Sequence, residues 1–286
     1  FPVTSTGRRS ALARWMTDRA NPLTARVAVN HIWMRHFGAP LVPTVFDFGR
    51  KGTPPTHAAL LDWLAVDFMD HGWSMKRLHR LIVTSDAYRR SSSSLGADRA
   101  TLTADAENRA YWRMNPTRME AQVVRDSVLH LAGVLDTSIG GPPVPASDEA
   151  SRRRSLYFFH SHNDYPRFLA TFDDANVLEC YRRTESIVPA QALALSNSRL
   201  ALTMASKISE RLHKRLGAVD DAEFASAAFE TILGDTPTPA ERDACERAMA
   251  DLKSLLRRQG VADPARRARD DLVQALLNHN DFVTIR

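Results

Sequence analysis

The sequence contains little cysteine. Only two of its 286 residues are cysteine, Cys180 and Cys245, and they lie far apart in the chain. A disulfide between them is possible in an oxidising compartment, but the sequence alone leaves that pairing open. Cys245 falls on the apolar side of a predicted helix, where a free cysteine behaves as a small hydrophobic residue. The cysteines therefore do not define the redox compartment.

The sequence also lacks a long apolar run. No stretch approaches the roughly 20 apolar residues that a membrane-spanning helix requires, so we predict no membrane span. No secretion signal is present, and the first residue is Phe1 rather than methionine. Together these two features indicate an excised or processed segment, so the missing signal does not argue for the cytoplasm.

The common catalytic and cofactor signatures are missing as well. The sequence contains no C-x-x-C-H haem motif, H-E-x-x-H, P-loop, G-x-S-x-G or dinucleotide-binding glycine pattern. Hydrophobic residues make up 44% and charged residues 25%, which are ordinary values for a globular protein and exclude a disordered chain. The sequence therefore assigns no reaction, and whether the protein is an enzyme stays open.

Positive charge is moderately in excess, with a net charge of +5 and an isoelectric point near 9.5. Arginines cluster at residues 152–154, 257–258 and 266–269. Two of these clusters fall in predicted helices that also carry acids such as Asp263 and Asp270, a pattern typical of a solvated helix face. No aromatic residues are interleaved with them, so nucleic-acid binding is not favoured.

Helical periodicity dominates the chain. Asn21-Pro22 and Gly38 predict the two ends of one helix, and Thr56 and Gly72 predict the ends of a second. Further start signals are a Thr117-x-x-Glu120 capping box, Asp220-x-x-Glu223 and Thr238-Pro239-x-Glu241. We predict a mainly α, multi-helical globular domain with a minor short β element.

The division of the chain is predicted from one glycine- and proline-rich segment. Residues 140–145 read GGPPVP, which must interrupt regular structure. They separate an N-terminal helical lobe, 1–140, from a C-terminal helical lobe, 151–286, and the second lobe contains a predicted short strand at 155–160. Neither lobe has an obvious self-sufficient core, so the two are expected to fold as one cooperative unit.

Several polar side chains are candidates for a binding or catalytic pocket. A carboxylate and an imidazole flank one loop and could orient a general base, although each could equally serve a local turn or helix start. A pair of arginines later in the chain could bind a carboxylate, sulfate or phosphate, or form an internal ion-pair network. The candidate pocket consists of Asp47, His57, Arg118, Arg182 and Arg183. Glu120 is left out because the predicted capping box accounts for it.

No metal site is predicted, and the weak candidate is the string His160-Ser-His162-Asn-Asp164. On an extended chain its two imidazoles would share a face. The alternative is a strand end that runs into a polar turn. The tryptophans are predicted to pack in the core or between helices rather than to form a sugar platform. They are Trp33, Trp63, Trp73 and Trp112.

Short strings along nearly the whole chain form a recognisable set. They are NPLTARVAVNHIW at 21–33, HFG at 36–38, DFG at 47–49, PP-x-H at 54–57, LDWL at 61–64, GWS at 72–74, LHRLI at 78–82, YR at 88–89, WRMN at 112–115, R-x-EA at 118–121, RD at 125–126, RR at 182–183, PAQAL at 189–193 and ALLN-x-N-x-F at 275–282. Together these strings resemble those of an uncharacterised planctomycete domain family. The sequence departs from the family at His31, where an arginine is usual, and at His160 and His162, which the family does not share.

Proteins of this family look like large exported polypeptides in which this module is C-terminal. The resemblance implies a periplasmic or cell-envelope location and an upstream cytochrome-c-like domain. Any haem would belong to that upstream domain, and no cofactor is expected in this segment. The family has no established catalytic residues, so the resemblance assigns none here.

Three functional hypotheses follow. The first is an interaction or structural module that packs against the upstream domains of its own polypeptide or against a secreted protein. The second is an enzyme or binding domain for anionic polymers, such as sulfated or acidic polysaccharide, which requires the candidate polar residues to share one pocket. The third, nucleic-acid binding, requires the arginine clusters to share one face.

Overall fold

The chain is mainly helical, as the sequence predicts. A computed structural model describes residues 5–178, 183 and 185–285. It is 54% helical, and over the described residues it has twelve helices and one two-stranded sheet. Within these ranges no helix has both the length and the apolar character needed to cross a membrane.

The chain folds into two compact units, one of residues up to Thr117 and one of Arg118–Ile285. The glycine- and proline-rich segment at 140–145 lies inside the second unit, where Val144 forms a bridge with Phe158. The division into lobes 1–140 and 151–286 stays a prediction. The expectation that the two lobes fold as one cooperative unit stays a prediction as well.

In the first unit, α2 (Thr24–Phe37), α3 (Ala58–Asp70) and α4 (Met75–Val83) supply most of the core. The buried residues of α2 include Val29, Trp33 and Phe37. Spacings of three and four residues place these side chains on one helix face, as the periodicity predicts. The helices of this unit are α1 (Arg8–Thr17), α2 (Thr24–Phe37), α3 (Ala58–Asp70), α4 (Met75–Val83) and α5 (Arg99–Ala104).

The loop after α2 is fixed by a buried amide. Asn30 is fully buried, and its side chain accepts a hydrogen bond from the Val42 N–H at 2.8 Å and donates one to the Val42 carbonyl at 3.2 Å. A buried polar side chain is tolerated when its hydrogen bonds are satisfied in this way. The pair therefore holds the loop that carries Asp47 against α2.

Two predicted helix starts in this unit are wrong. α2 begins at Thr24 rather than Pro22, because the Asn21 side chain accepts hydrogen bonds from the N–H groups of Leu23 and Thr24 and forms a turn. α3 begins at Ala58, and Thr56 does not cap it, because the Thr56 hydroxyl donates to the carbonyl of Leu41. The predicted end of α2 is confirmed: Gly38 follows it with a φ of 72°, a left-handed conformation that suits glycine.

The second unit is a larger helical assembly. Its core includes the inward faces of α6, α9, α10 and α12. Leu272, Val273, Leu276 and Leu277 of α12, whose spacing predicts one apolar helix face, are all buried. Its elements are β1 (Thr117–Arg118, whose first residue belongs to the first unit), α6 (Ala121–Leu131), α7 (Arg167–Thr171), α8 (Pro189–Asn197), α9 (Arg199–Leu216), α10 (Asp221–Leu233), α11 (Pro239–Arg258), α12 (Pro264–Leu277) and β2 (Thr284–Ile285). Two 3-10 turns lie at Ser155–Tyr157 and Asn280–Val283.

Two of the three capping predictions in this region are confirmed. Asp220 accepts a hydrogen bond from the N–H of Glu223, and Thr238 and Glu241 form a full capping box with proline next to the cap. The capping box predicted at Thr117 and Glu120 is wrong. β1 pairs with β2, and the Met119 N–H donates to the Val283 carbonyl at 2.8 Å, so the chain stays extended until Glu120.

The strand predicted at 155–160 is also wrong. Residues Ser155–Tyr157 form a 3-10 turn, because the Ser155 N–H and hydroxyl both donate to the carboxylate of Asp126 and turn the chain. Within residues 155–160, the one β-bridge is that of Phe158 with Val144, in a parallel arrangement. The aromatic residues that suggested a strand instead pack from a turn.

Candidate functional site

A polar network of the second unit lies at the start of α6. The Arg183 guanidinium donates to Glu120 Oε2 at 3.2 Å and to Gln122 Oε1 at 3.3 Å. Its Nη1 also lies 3.9 Å from Asp174 Oδ1. One arginine therefore joins the residue that begins α6 to the loop that follows α7, and we call this set the Arg183 network.

Asp174 is the most enclosed carboxylate of the Arg183 network. It accepts hydrogen bonds from the side-chain amide of Gln122 and from the Ala175 N–H. Its other oxygen lies 3.7 Å from Nδ1 of His160. The carboxylate is thus surrounded by a guanidinium, an amide and an imidazole.

A second network adjoins the first through the consecutive residues Asp173 and Asp174. Asp173 accepts hydrogen bonds from the N–H and hydroxyl of Ser186 at 2.7 and 2.8 Å. It adopts a φ of 58°, a left-handed conformation that aspartate tolerates better than most residues. Gln191 lies between Asp173 and Arg118, since its amide nitrogen donates to Asp173 and its oxygen accepts from Arg118 at 3.2 Å.

A cleft of about 660 Å³ runs beside the Arg183 network along the outer face of α6. A cleft of this size falls in the range that holds small ligands or short peptide segments. Its walls combine apolar side chains with charged ones from α6 and from the 3-10 turn after it. They are Met119, Glu120, Gln122, Val123, Asp126, Ser127, His130, Leu131, Leu135, Arg154, Leu156, Arg183, Ile232 and Phe282.

The two acids of the cleft are already engaged. Asp126 accepts hydrogen bonds from both the N–H and the hydroxyl of Ser155, and Glu120 pairs with Arg183. Arg154, by contrast, is exposed and forms no ion pair with any other residue that the structure describes. Arg154 is therefore the exposed cationic group that the cleft offers to a ligand, and it lies among two acids and Arg183.

Arg125 supports the cleft from beneath. Its side chain is only 2% exposed, and its guanidinium donates to the carbonyls of Ser151 and Arg153 and to the Ser155 hydroxyl. The guanidinium also lies over the ring of Phe158 at 4.8 Å. Burial lowers the pKa of Arg125, and the charge of Asp126 opposes that shift. The buried cation thus holds the segment that places Arg154 and Leu156 in the cleft.

Adjacent residues on a helix diverge around its axis, so their order alone does not predict that Arg125 and Asp126 share a partner. Instead both side chains reach Ser155, and the Arg125 guanidinium lies 3.8 Å from the Asp126 carboxylate. The sequence signal for this role is the adjacent Arg125–Asp126 pair, since charged groups that are buried are ion-paired or hydrogen-bonded. Its long-range partner, Ser155, has no signal in the sequence.

Asp47 and His57 of the predicted pocket lie in the first unit and serve local roles there. Asp47 accepts a hydrogen bond from the Gly49 N–H at 2.7 Å, which closes a turn. His57 Nδ1 lies 3.2 Å from the Thr56 hydroxyl, and its ring lies 5.8 Å from that of Tyr111. The hydrogen bonds found in the described part of the chain include none between Asp47 and His57.

The other three predicted pocket residues belong to the second part of the chain. Arg118 and Arg183 lie in the two adjoining networks of the second unit, whereas Arg182 lies outside the described residues. Cys180 lies outside them too, so the pairing of the two cysteines stays open. Cys245 packs against the core, and burial raises the pKa of its thiol.

The weak metal candidate is spread out. His160 faces Asp174, while His162 and Asp164 are exposed. Among the residues that the structure describes, no group of three or more His, Cys, Asp or Glu side chains is placed to hold a metal ion.

The tryptophans differ in how far they are buried. Trp33 is buried, as predicted, and donates a hydrogen bond to the Tyr111 hydroxyl at 2.9 Å. Trp63, on α3, is 55% exposed, so of the two predicted roles, in the core or between helices, the core role does not apply to it. Its position follows from Leu61, Leu64 and Phe68, which point α3 inward along a different face.

Sequence comparisons give the family of the chain and no more. No curated protein and no solved structure matches the sequence. The family model of PSD1, described as a protein of unknown function (DUF1553), matches residues 8–249. This match spans both of the polar networks and the whole of α6. The chain therefore belongs to the PSD1 (DUF1553) family of proteins of unknown function.

Proposed function

We propose that this chain is a non-catalytic interaction module, and that the cleft along α6 binds an acidic and partly apolar segment of a partner protein. The observation that carries the proposal is the combination of exposed apolar and cationic side chains in one concave surface. Val123 is 41% exposed and Leu156 is 54% exposed, and both face the cleft that Arg154 flanks.

The apolar walls favour a protein segment over a polysaccharide. Sugar-binding sites commonly use exposed aromatic faces, on which the apolar face of a sugar ring packs. The one aromatic side chain among the described lining residues is Phe282, and it is buried. Aliphatic residues such as Val123, Leu156 and Leu131 instead suit the aliphatic side chains of a peptide.

The engaged acids favour binding over catalysis. A general acid or base must reach the substrate with a proton or a lone pair to exchange. Asp126 is committed to two hydrogen bonds from Ser155, and Glu120 is committed to Arg183. These carboxylates hold the cleft in shape, and the exposed guanidinium of Arg154 remains to meet a negatively charged ligand.

The resemblance supports a setting for this module, which we propose on that ground alone. The chain would be the C-terminal part of an exported planctomycete protein in the periplasm or cell envelope. Its partner segment would lie in the upstream domains of the same polypeptide, one of them cytochrome-c-like, or in a secreted protein. Haem would be bound upstream, and this segment would carry no cofactor.

The test measures binding of two short labelled peptides to the whole chain by fluorescence anisotropy. One peptide alternates leucine with aspartate, and the other alternates leucine with lysine. We expect saturable binding of the acidic peptide alone. R154E should weaken that binding at least roughly tenfold, since it replaces a charge-assisted contact with repulsion.

R152E is the matched control, because Arg152 is an exposed arginine two residues away that does not line the cleft. It changes the net charge equally and should leave the binding unchanged. Equal binding of both peptides, or equal loss in R152E and R154E, would refute the proposal. A sulfated oligosaccharide that binds while the acidic peptide does not would establish the polysaccharide alternative instead.

A further inference from the structure

Two histidines of the first unit meet at hydrogen-bond distance. His36 is next to the last residue of α2, and His79 lies in the middle of α4. Nε2 of His36 lies 2.7 Å from Nδ1 of His79. The rings are nearly perpendicular, with an interplanar angle of 70°. Each ring therefore directs one nitrogen at the other.

The surroundings hold the two rings in place without covering them. The ring of Tyr88 meets that of His36 edge to face at 5.6 Å, which restricts its rotation. His79 is exposed, and His36 is half-buried. One side of the pair is therefore a fixed imidazole, and the other is an imidazole that solvent and ions can reach.

We propose that His36 Nε2 and His79 Nδ1 together bind a divalent transition-metal ion of the Zn²⁺ or Cu²⁺ class. Imidazole nitrogens are preferred ligands for both ions. Zinc–nitrogen bonds of about 2.0–2.1 Å in a tetrahedral site separate two ligand nitrogens by roughly 3.3 Å. To hold an ion, the pair would open by roughly 0.6 Å and the exposed ring of His79 would also turn, so that the lone pairs of the two nitrogens converge on one point.

The neutral imidazole is the form that binds metal. With two protein ligands, water would complete the coordination sphere, as in sites that leave positions open to solvent.

Metal binding at this pair would connect α2 to α4. These helices supply Trp33, Phe37, Leu78 and Ile82 to the same core. The two histidines are distant in the sequence, so an unfolded chain would not hold them together. Binding would therefore stabilise the folded first unit in proportion to the metal concentration.

The experiment titrates Zn²⁺ into the metal-free whole chain by calorimetry and follows thermal unfolding in parallel. We expect one saturable equivalent and a rise in melting temperature of roughly 5 °C in excess metal. H79Q retains an amide that can hydrogen-bond to His36 but removes the ligand nitrogen, so it should lose both effects. H36Q should lose them as well.

H162A is the control, since His162 is an exposed histidine of the second unit and belongs to the weak metal candidate at 160–164. It should bind zinc as the unaltered chain does. Copper provides an independent readout, because Cu²⁺ at the pair should show two coupled nitrogens in its electron paramagnetic resonance spectrum. Unchanged zinc binding in H79Q and H36Q, or its loss in H162A, would overturn the proposal.

Discussion

Arg183 donates a hydrogen bond to Glu120 across 3.2 Å and thereby joins the segment before α8 to the residue that begins α6. The pair is partly shielded from water, and Gln122 and Asp174 extend it on the Arg183 side. An ion pair embedded in such a network contributes more than an isolated pair on the surface.

Replacing Glu120 tests that contribution. E120Q removes the charge but retains the size of the side chain, and we expect a loss of about 0.5–1 kcal/mol in the free energy of unfolding. E107Q is the control, because Glu107 pairs with Arg109 in a fully exposed position and should change little. Urea denaturation followed by circular dichroism measures both. An equal effect of the two changes would show that the network adds nothing to the pair.

Removing Arg125 should be far more damaging. Its buried guanidinium donates to the carbonyls of Ser151 and Arg153, so R125M would leave these carbonyls without their donor and would remove the positive charge beside Asp126. We expect a loss of about 3–5 kcal/mol, the usual result of breaking a buried charged contact. Chemical denaturation checks this value, with R152M as the exposed control. A loss below about 1 kcal/mol would contradict the anchoring role.

Asn30 is the corresponding anchor of the first unit. N30A would leave the N–H and carbonyl of Val42 unpaired in a buried position, and we expect a loss of about 2 kcal/mol. N30D retains the acceptor but buries a charge, so it should destabilise at least as much at neutral pH. Thermal unfolding of both variants measures the effect, and a neutral N30A would show that water replaces the amide.

The pH dependence of stability should include a contribution from Asp67. The hydrogen bond from Arg77 is the largest cause that lowers the pKa of Asp67, the charges of Arg77 and His71 add to it, and burial opposes it. Because the folded pKa lies below the ordinary value of 3.8, folding favours the charged carboxylate. Its contribution is complete above about pH 3.8 and is lost as the pH falls through the folded pKa.

D67N should therefore reduce the stability at neutral pH and flatten the dependence of stability on pH in the acid range. Denaturant titrations at a series of pH values measure this slope. D70N is the control, since Asp70 pairs with Arg19 in an exposed position. If D67N leaves the slope of stability against pH unchanged, Asp67 does not contribute to the loss of stability in acid.

The two units suggest where the chain can be cut. A fragment that ends within residues 140–145 would contain α6 without its partners, so Val124, Val128 and Leu129 would be exposed to water. We expect that fragment to aggregate or to melt without cooperativity. A fragment that ends at Thr117 retains the entire core of the first unit and should melt cooperatively. Calorimetry decides, and cooperative melting of the longer fragment would contradict the expectation.

Sequence alone was enough for features that depend on neighbouring residues. The caps at Asp220 and Thr238, the glycine that ends α2 and the buried stripe of α12 were all predicted correctly. Each depends on a hydrogen bond or a periodicity within a few residues, which the order of the side chains determines. Family membership was likewise predicted from strings of adjacent residues, and the family match over residues 8–249 confirms that the chain belongs to an uncharacterised domain family.

Features that depend on partners distant in the chain were decided by the tertiary structure. In the sequence, Glu120 fits a capping box. In the structure, β1 pairs with β2, and Glu120 accepts a hydrogen bond from Arg183, 63 residues away. Residues 155–160 have the composition of a strand, but the hydrogen bonds from Ser155 to Asp126 turn the chain there. His36 and His79 are far apart in the sequence and meet because α2 packs near α4. A long-range contact forms when packing of the core offsets the entropy of closing the intervening loop, and local sequence patterns contain no information on that balance.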